Sequence, residues 1–390
     1  MRLTTAVFMN ARTKSHMMST KQKKRLAILV NVVAPYRLPI YEFLNSIYDM
    51  KVFCGKREGN RSWVLTPSAG MNIQEAWGWV FPLTTKTGVD GVRDTHYVHI
   101  NPGLFWKLLR FKPDIIISNE MGFRSAIALL YGDIARKPVW VWWGGTLHSE
   151  RYASVLTRFV RRRIVRRTKH WISYGREASE YLESLGVEKS SILQIQNCVE
   201  QERFTQIPKN HSGLLDGLQR PIMLCVGQLL KRKGVSQLIE SCARLAAEDR
   251  EFSLVLVGNG PEKDALAKLA SEKGFRNLHM IPNQDQEQIN QIYHEADVFV
   301  FPTLEDIWGL VVNEAIWAGL PVACSRYAGC ASELLPEECV FDPLVPENID
   351  MVLRSGLEGS LGVTDRSSVL KWQAVAEAIR LSLERDDAIL

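Results

Sequence analysis

The sequence predicts an α/β protein of two domains, each a parallel sheet covered by helices. Short, nearly continuous aliphatic runs recur along it: Arg25–Val33, Pro113–Asn119, Pro138–Trp143, Pro221–Gly227 and Phe252–Gly258. Runs of this length and composition suit strands buried on both faces of a parallel sheet. Between them lie segments with apolar residues at helical spacing, among them Leu38–Ile47, Phe123–Ile134, Val235–Ala247 and Lys263–Lys273, which gives a βαβ alternation. Finally, 390 residues exceed one ordinary domain, and the aperiodic stretch 205–220, with Pro208, Gly213 and Gly217, marks a boundary.

Hydrophobic content of 46% against 23% charged residues is that of a globular protein able to bury full-sized cores. No run of about eighteen apolar residues exists, so no transmembrane helix is expected. Residues 1–24 carry Arg2, Arg12, Lys14, Lys21, Lys23 and Lys24 but no apolar core of a secretory signal, and read as a disordered basic leader. Seven cysteines without a CxxC pair, several in apolar segments (Cys198, Cys225, Cys242, Cys324), read as buried reduced thiols of a cytosolic protein. The histidines show no metal-ligand spacing, so neither a metal nor a resident cofactor is expected.

The stretch Asp297–Ser325 organises the second domain. Two β-branched runs, Val298–Phe301 and Pro321–Cys324, flank a segment of helical composition, and the turn Thr303-Leu304-Glu305-Asp306 places carboxylates at the carboxyl end of a parallel strand. Ligands bind at that edge of open α/β sheets. Asp306 and Glu314 stand eight residues apart, with Gly309 and Leu310 between them where a helix can begin. An ionised carboxylate accepts two O–H donors at once and so matches a vicinal diol, while a helix amino end favours an anion. Two solvated acids flanking a buried strand are the alternative.

A second cationic element precedes it. Gln228-Leu229-Leu230-Lys231-Arg232-Lys233-Gly234 follows the strand Pro221–Gly227 and leads into a helix, an arrangement that supplies a pyrophosphate with N–H donors and positive charge. Gly258-Asn259-Gly260-Pro261 makes a similar turn after the next strand.

Together these motifs resemble the retaining glycosyltransferases of family four, which have the GT-B fold of two facing Rossmann-like domains with the donor cleft between them. Asp306, Trp308, Gly309, Leu310, Glu314 and Ala315 match the family's donor signature, followed by Gly319, Pro321 and Val322. The first acid of that signature is Asp306 here rather than Glu, with Glu305 just before it, so both remain candidates for the sugar hydroxyls. Lys233 matches the family lysine of the diphosphate loop; Gln228 stands where an arginine is usual, and Arg232 could supply the charge. Gly258 and Gly260 match the family's G-x-G-P turn, and Tyr327–Leu334 its small-residue turn ending in Glu. The resemblance implies a donor site of Gln228, Arg232, Lys233, Gly258, Gly260, Glu305, Trp308, Gly309, Leu310 and Glu314, with Glu314 on the ribose and Asp306 at the reaction centre.

In the first domain the loop Ala34–Arg37 carries Tyr36 and Arg37, which the resemblance places near the acceptor; an exposed loop arginine is the other reading. Gly144-Gly145-Thr146-Leu147-His148 follows the strand Pro138–Trp143 and is similar to the family's histidine-bearing acceptor loop. His148 there would face the reaction centre and Gly145 the acceptor, although a lone histidine is commonly structural. Residues 57–100, with Trp63, Trp77 and Trp79, read as a long irregular loop. Residues 151–171 form a cationic amphipathic helix with seven basic residues between Arg158 and Lys169 and no acid. A solvated basic face and contact with anionic lipid through Arg161, Arg162, Arg166 and Arg167 both fit. A nucleic-acid surface lacks the stacking aromatics it would need.

The expected organisation is a basic leader at 1–24, an acceptor domain at 25–205, a nucleotide-sugar domain at 206–370 and a terminal segment, 371–390, whose helix crosses back onto the first domain, as the resemblance implies. The implied activity is metal-independent, retaining transfer of a sugar from a nucleotide diphosphate sugar to a glycan or lipid-linked acceptor in cell-surface polysaccharide or glycolipid synthesis. It would run in the cytoplasm, peripherally on the inner membrane face, with no nucleic-acid partner. A nucleotide-sugar epimerase or hydrolase on the same fold, and a non-catalytic sugar-nucleotide-binding protein, are the alternatives.

Overall fold

The computed structural model describes residues 23–55, 70–86 and 93–387. Residues 1–22 of the expected leader and Trp63 lie outside them. The first domain runs β1 (Arg25–Val30), α1 (Leu38–Ile47), β2 (Asp49–Cys54), β3 (Asn72–Glu75), β4 (Trp79–Lys86), β5 (Arg93–Ile100), α2 (Gly103–Phe111) and β6 (Ile115–Asn119). It continues with α3 (Phe123–Ala135), β7 (Val139–Trp143), α4 (Val155–Arg167), β8 (His170–Tyr174), α5 (Gly175–Ser184), β9 (Ile192–Ile195) and the one-turn α6 (Glu202–Thr205).

The second domain comprises β10 (Ile222–Val226), α7 (Val235–Ala246), β11 (Ser253–Val257), α8 (Lys263–Glu272), β12 (Leu278–Ile281), α9 (Gln286–Glu295) and β13 (Val298–Phe301). Then follow α10 (Leu310–Ala318), β14 (Val322–Ser325), α11 (Ala331–Leu334), β15 (Val340–Phe341), α12 (Pro346–Leu357) and the terminal α13 (Trp372–Asp387).

Seven strands pair in the order β3-β2-β1-β6-β7-β8-β9, and six in the order β12-β11-β10-β13-β14-β15. Every pairing in both sheets is parallel. The aliphatic runs explain this: Leu26–Leu29 and Ile222–Leu224 are wholly excluded from solvent, as strands covered by helices on both faces must be. In each sheet the order reverses beside the first strand, at β1/β6 and β10/β13, which opens a crevice at the carboxyl edge.

The segment expected to be irregular, 57–100, instead contains β3 and an antiparallel hairpin of β4 with β5, registered Trp79 to Ile100 and Phe81 to Val98. In β4, Trp79, Phe81 and Leu83 alternate with the smaller or polar Val80, Pro82 and Thr84, a period-two signal that the tryptophans obscured. The end of the chain returns to the first domain. There α13 packs on α1 and β9, and Gln196 fixes the approach by bonding Ser368 O at 2.9 Å and Leu370 N at 2.7 Å. Among the described residues no helix is long and apolar enough to cross a membrane.

Candidate functional site

The second sheet presents three loops at its carboxyl edge. After β10, Gly227–Gly234 turns into α7; after β11, Gly258–Pro261 turns toward α8; after β13, Pro302–Gly309 turns into α10. They are joined by backbone. Leu229 N–H donates to Asn259 O at 3.0 Å and Leu304 N–H to Arg232 O at 2.8 Å. Glycine is required at these junctions: a Cβ on Gly258 (φ 152°) would lie 1.9 Å from Gly227 O, and one on Gly234 (φ 66°) 2.0 Å from Pro302 O. The approach brings together two helix amino ends that no side chain caps, those of α7 and α10. Their unbonded first-turn N–H groups and dipoles make this point favourable for an anion.

Lys233 lies between these ends and forms an ion pair with Asp306 Oδ2. Burial raises the Asp306 carboxyl, but Lys233, Arg232 and the Trp308 N–H donating to Oδ1 overcome it and hold the group below its usual value. Asp306 is thus a fixed carboxylate. Arg232 donates from Nη1 to Glu305 O at 3.2 Å, and Glu305 itself is almost fully buried. Gln228 is exposed at the rim, and Gly260 packs on Leu229 O.

On α10, Gly309 (φ 100°) starts the helix against the Phe301 ring, and Leu310 is its first residue. One turn on, Glu314 accepts a hydrogen bond from Tyr293 Oη at 2.9 Å. Burial pushes its carboxyl up to about 7, against the lowering effect of that bond. Nothing in the sequence announced Tyr293, which lies on a different helix 21 residues earlier. Trp308 departs from expectation. It is 1% exposed, and its indole N–H bonds Asn313 Oδ1 at 2.8 Å, so it braces the loop from behind rather than meeting a ligand.

The first domain faces this site with the loops after β1 and β7. His148 Nε2 donates to Leu304 O at 2.9 Å, across the cleft, and Nδ1 accepts from Arg151 at 2.9 Å. The ring stacks on Tyr327 with centroids 4.6 Å apart. Burial lowers the His148 pKa, and with a guanidinium donating to Nδ1 the ring is neutral at pH 7. His148 therefore meets the backbone at the residue before Glu305, with both nitrogens engaged. A second bridge links the domains where Arg176 N–H, in the first turn of α5, donates to Glu333 Oε2 at 2.8 Å.

Arg37 is not the exposed loop arginine that the sequence also allowed. It is 3% exposed, lies 3.8 Å from the Trp142 ring centroid and within 5.5 Å of those of Tyr174 and Tyr36, and among the described residues has no hydrogen-bond partner at Nε or Nη1. Gly145 admits Trp143 Nε1, which donates to its carbonyl at 2.8 Å. A side chain there would strike Trp143 and Glu150.

The lipid-facing set needs one correction. Arg161 turns inward, paired with Glu150, bonded to Tyr181 Oη at 3.0 Å and stacked on Trp143. Its helical phase turns it toward the body of the domain, where the largely covered Glu150 carboxylate compensates it. Arg167 is half-exposed and paired with Asp133. Arg162 and Arg166 are exposed. The apolar positions of α4 also depart from expectation: only Ile164 is buried, whereas Leu156, Phe159 and Val160 face outward. Among the described residues no group of three or more His, Cys, Asp or Glu could hold a metal ion.

Residues 206–355 match the family described as glycosyl transferases group 1. The lipopolysaccharide glucosyltransferase WaaG of Escherichia coli is 30% identical over 159 residues, covering 40% of this chain and 41% of that protein. The chain thus spans about two fifths of this curated relative. Sucrose-phosphate synthase of Thermosynechococcus elongatus superposes with TM-score 0.72 at 17% identity, over 94% of this chain and 100% of that one. Anabaena HepE in complex with UDP-glucose gives 0.66 at 15%, over 94% and 100%. Lys233, Asp306 and Glu314 all lie within the residues that match the glycosyl transferases group 1 family, and the chain that carries them has a GT-B fold.

Proposed function

We propose that this chain is a retaining glycosyltransferase that moves a sugar from a nucleotide diphosphate sugar to a glycan or lipid-linked acceptor at an anionic membrane surface. The observation that carries the reading is the meeting of Lys233, Asp306 and two uncapped helix amino ends at one point of the second sheet's carboxyl edge. The diphosphate of a leaving nucleotide gains charge as the glycosidic bond breaks, and fixed N–H donors with Lys233 and Arg232 stabilise that charge as it develops. No metal is needed for this. Asp306, ionised and anchored, accepts hydroxyls of the transferred sugar, and Glu314 accepts those of the ribose in place of the Tyr293 hydroxyl. His148 exchanges Leu304 O for the sugar or the acceptor hydroxyl when the cleft is filled. HepE, bound to UDP-glucose, supports a nucleotide-sugar donor, and WaaG, a lipopolysaccharide enzyme by name, supports a lipid-linked acceptor.

Thermal shifts of the purified chain against UDP-, GDP- and ADP-sugars identify the donor, since a ligand at about a hundred times its Kd stabilises by about 2.7 kcal/mol. Labelled donor then decides among activities. Product that forms only with an acceptor and keeps the donor's anomeric configuration supports the proposal. Product without acceptor indicates hydrolysis or epimerisation, binding without turnover a non-catalytic protein, and loss of transfer on chelation with recovery on added magnesium a metal-dependent one.

A further inference from the structure

The hairpin of β4 and β5 is apolar on its outer face. Trp79, Phe81 and Leu83 follow at two-residue intervals in β4, so they share one side, and Trp77, just before the strand, packs on Trp79; the four are 62% (Trp77), 49%, 50% and 51% exposed. The register adds Val98, opposite Phe81 and also exposed, to that side. On the other side His99, opposite Val80, is buried, and β5 packs on α3. A hairpin facing water shows the reverse alternation, polar side outward. Trp77 and Trp79 lie edge to face with centroids 4.6 Å apart, a preformed aromatic pair. On α2, which follows the hairpin, Trp106 is 70% exposed.

Exposed Glu75 precedes the hairpin, whereas the two neighbouring helices carry cations only. Helix α2 contributes exposed Arg110 and is followed by exposed Lys112, and contains no acid. Helix α4 exposes Arg158, Arg162, Arg163 and Arg166 beside Val155, Leu156 and Phe159, again with no acid. Helix α3 packs against both α4 and β5, and it exposes Leu130 and Ile134 itself. Its one acid, Asp133, is paired with Arg167. Contiguous exposed apolar surface of this kind marks an interaction site. Tryptophan and phenylalanine within a rim of arginine and lysine match the headgroup level of an anionic bilayer, where amphipathic rings settle and cations meet phosphate. A second copy of the chain fits less well, because a twofold contact over this face would set the acid-free cationic helices of the two copies against each other.

We propose that the β4–β5 hairpin is an interfacial anchor whose Trp77, Trp79, Phe81 and Leu83 side enters the headgroup region of an anionic membrane. The inference rests on the reading of this chain as a transferase at a membrane surface and deepens it: attachment is by apolar insertion as well as by charge. Helix α4 supplies the salt-sensitive attraction and the hairpin the salt-resistant part.

Flotation of the full chain with phosphatidylcholine vesicles, with and without about 30% phosphatidylglycerol, tests this at about 0.1 M and about 0.5 M salt. The anionic vesicles should retain a bound fraction at high salt. Replacing Trp77, Trp79 and Phe81 by Ser should remove that fraction and weaken binding on the order of a hundredfold. Replacing Arg162 and Arg166 by Gln should lower binding at low salt and leave bromolipid quenching of the bound protein's tryptophan fluorescence in place. The serine variant should keep the wild-type melting temperature and donor affinity, since the three side chains face outward. Wild-type retention by the serine variant overturns the anchor. So does a wild-type chain that ignores anionic vesicles while transferring sugar to a soluble acceptor, an outcome that leaves the transferase reading standing. Hairpin-dependent flotation without sugar transfer sustains the anchor and sinks the transferase reading. A wild-type dimer that becomes monomeric in the serine variant, with no flotation of either, assigns the face to self-association and overturns the anchor.

Discussion

Replacing Lys233 by Met probes the ion pair at the centre of the site. Removing one partner of a buried pair costs about 3–5 kcal/mol. Lys233 and Asp306 keep 15% and 17% of their side chains exposed, and solvent screening reduces the expected loss to about 2–3 kcal/mol. For a domain of this size about 1 kcal/mol corresponds to about 2–4 °C, so the melting temperature should fall by about 4–12 °C at pH 7. The sign of the pH dependence follows from Asp306. Its folded pKa lies below the ordinary 3.8, so its contribution is present above that value and is lost as pH falls through the folded one. In the variant burial is no longer opposed by the lysine, Asp306 takes up a proton more readily, and the gap to wild type should narrow toward about pH 4. Calorimetry of wild type, Lys233→Met, Asp306→Asn and the double variant at both pH values closes a cycle that isolates the pair. The same set separates functions. Lys233→Met should weaken donor and free nucleotide diphosphate alike, while Asp306→Asn should spare the free nucleotide and lower transfer on the order of a hundredfold. A stability loss under about 1 kcal/mol, equal at both pH values, would refute the reasoning.

Glu314, with its carboxyl raised to about 7 from 4.5, contributes stability that is full below about 4.5 and lost as pH rises through about 7, a span of about 3 kcal/mol. Melting curves of Glu314→Gln between about pH 5 and 8 should therefore lack most of the wild-type slope, and isothermal titration should show weaker nucleotide binding. Gly258→Ala should unfold the second domain or abolish donor binding, because its Cβ would sit 1.9 Å from Gly227 O; a normal melt with normal donor affinity contradicts the joined-loop description. Arg161→Gln should lower the melting temperature by leaving the largely covered Glu150 without its partner, at a cost of about 1–2 kcal/mol after solvent screening. Arg162→Gln with Arg166→Gln should leave melting within about 0.5 kcal/mol of wild type and reduce only vesicle binding, read by flotation.

The sequence by itself determined what local chemistry determines. Continuous aliphatic runs such as Leu26–Val30 and Ile222–Cys225 became parallel strands, because a segment that is apolar on both sides has to be covered on both sides. The glycine-bounded turns after β10, β11 and β13 marked the ligand edge, since only glycine lets those backbones meet. The β4–β5 hairpin escaped notice because its period-two pattern covers only Trp79, Phe81 and Leu83 and was obscured by the neighbouring tryptophans, while which side faces outward is set only by packing. Tertiary structure alone decided which partner each charged group found. Arg161 and Arg162 are adjacent in a uniformly basic run, yet helical phase sends one to Glu150 and the other to solvent. Arg37 went into a cage of rings drawn from the β1 loop, β7 and β8, Glu314 met Tyr293 from another helix, and His148 met Leu304 across the cleft. Those pairings span long separations along the chain. Patterning along a sequence constrains which face of an element is buried, while the identity of what it is buried against is set only when the elements pack.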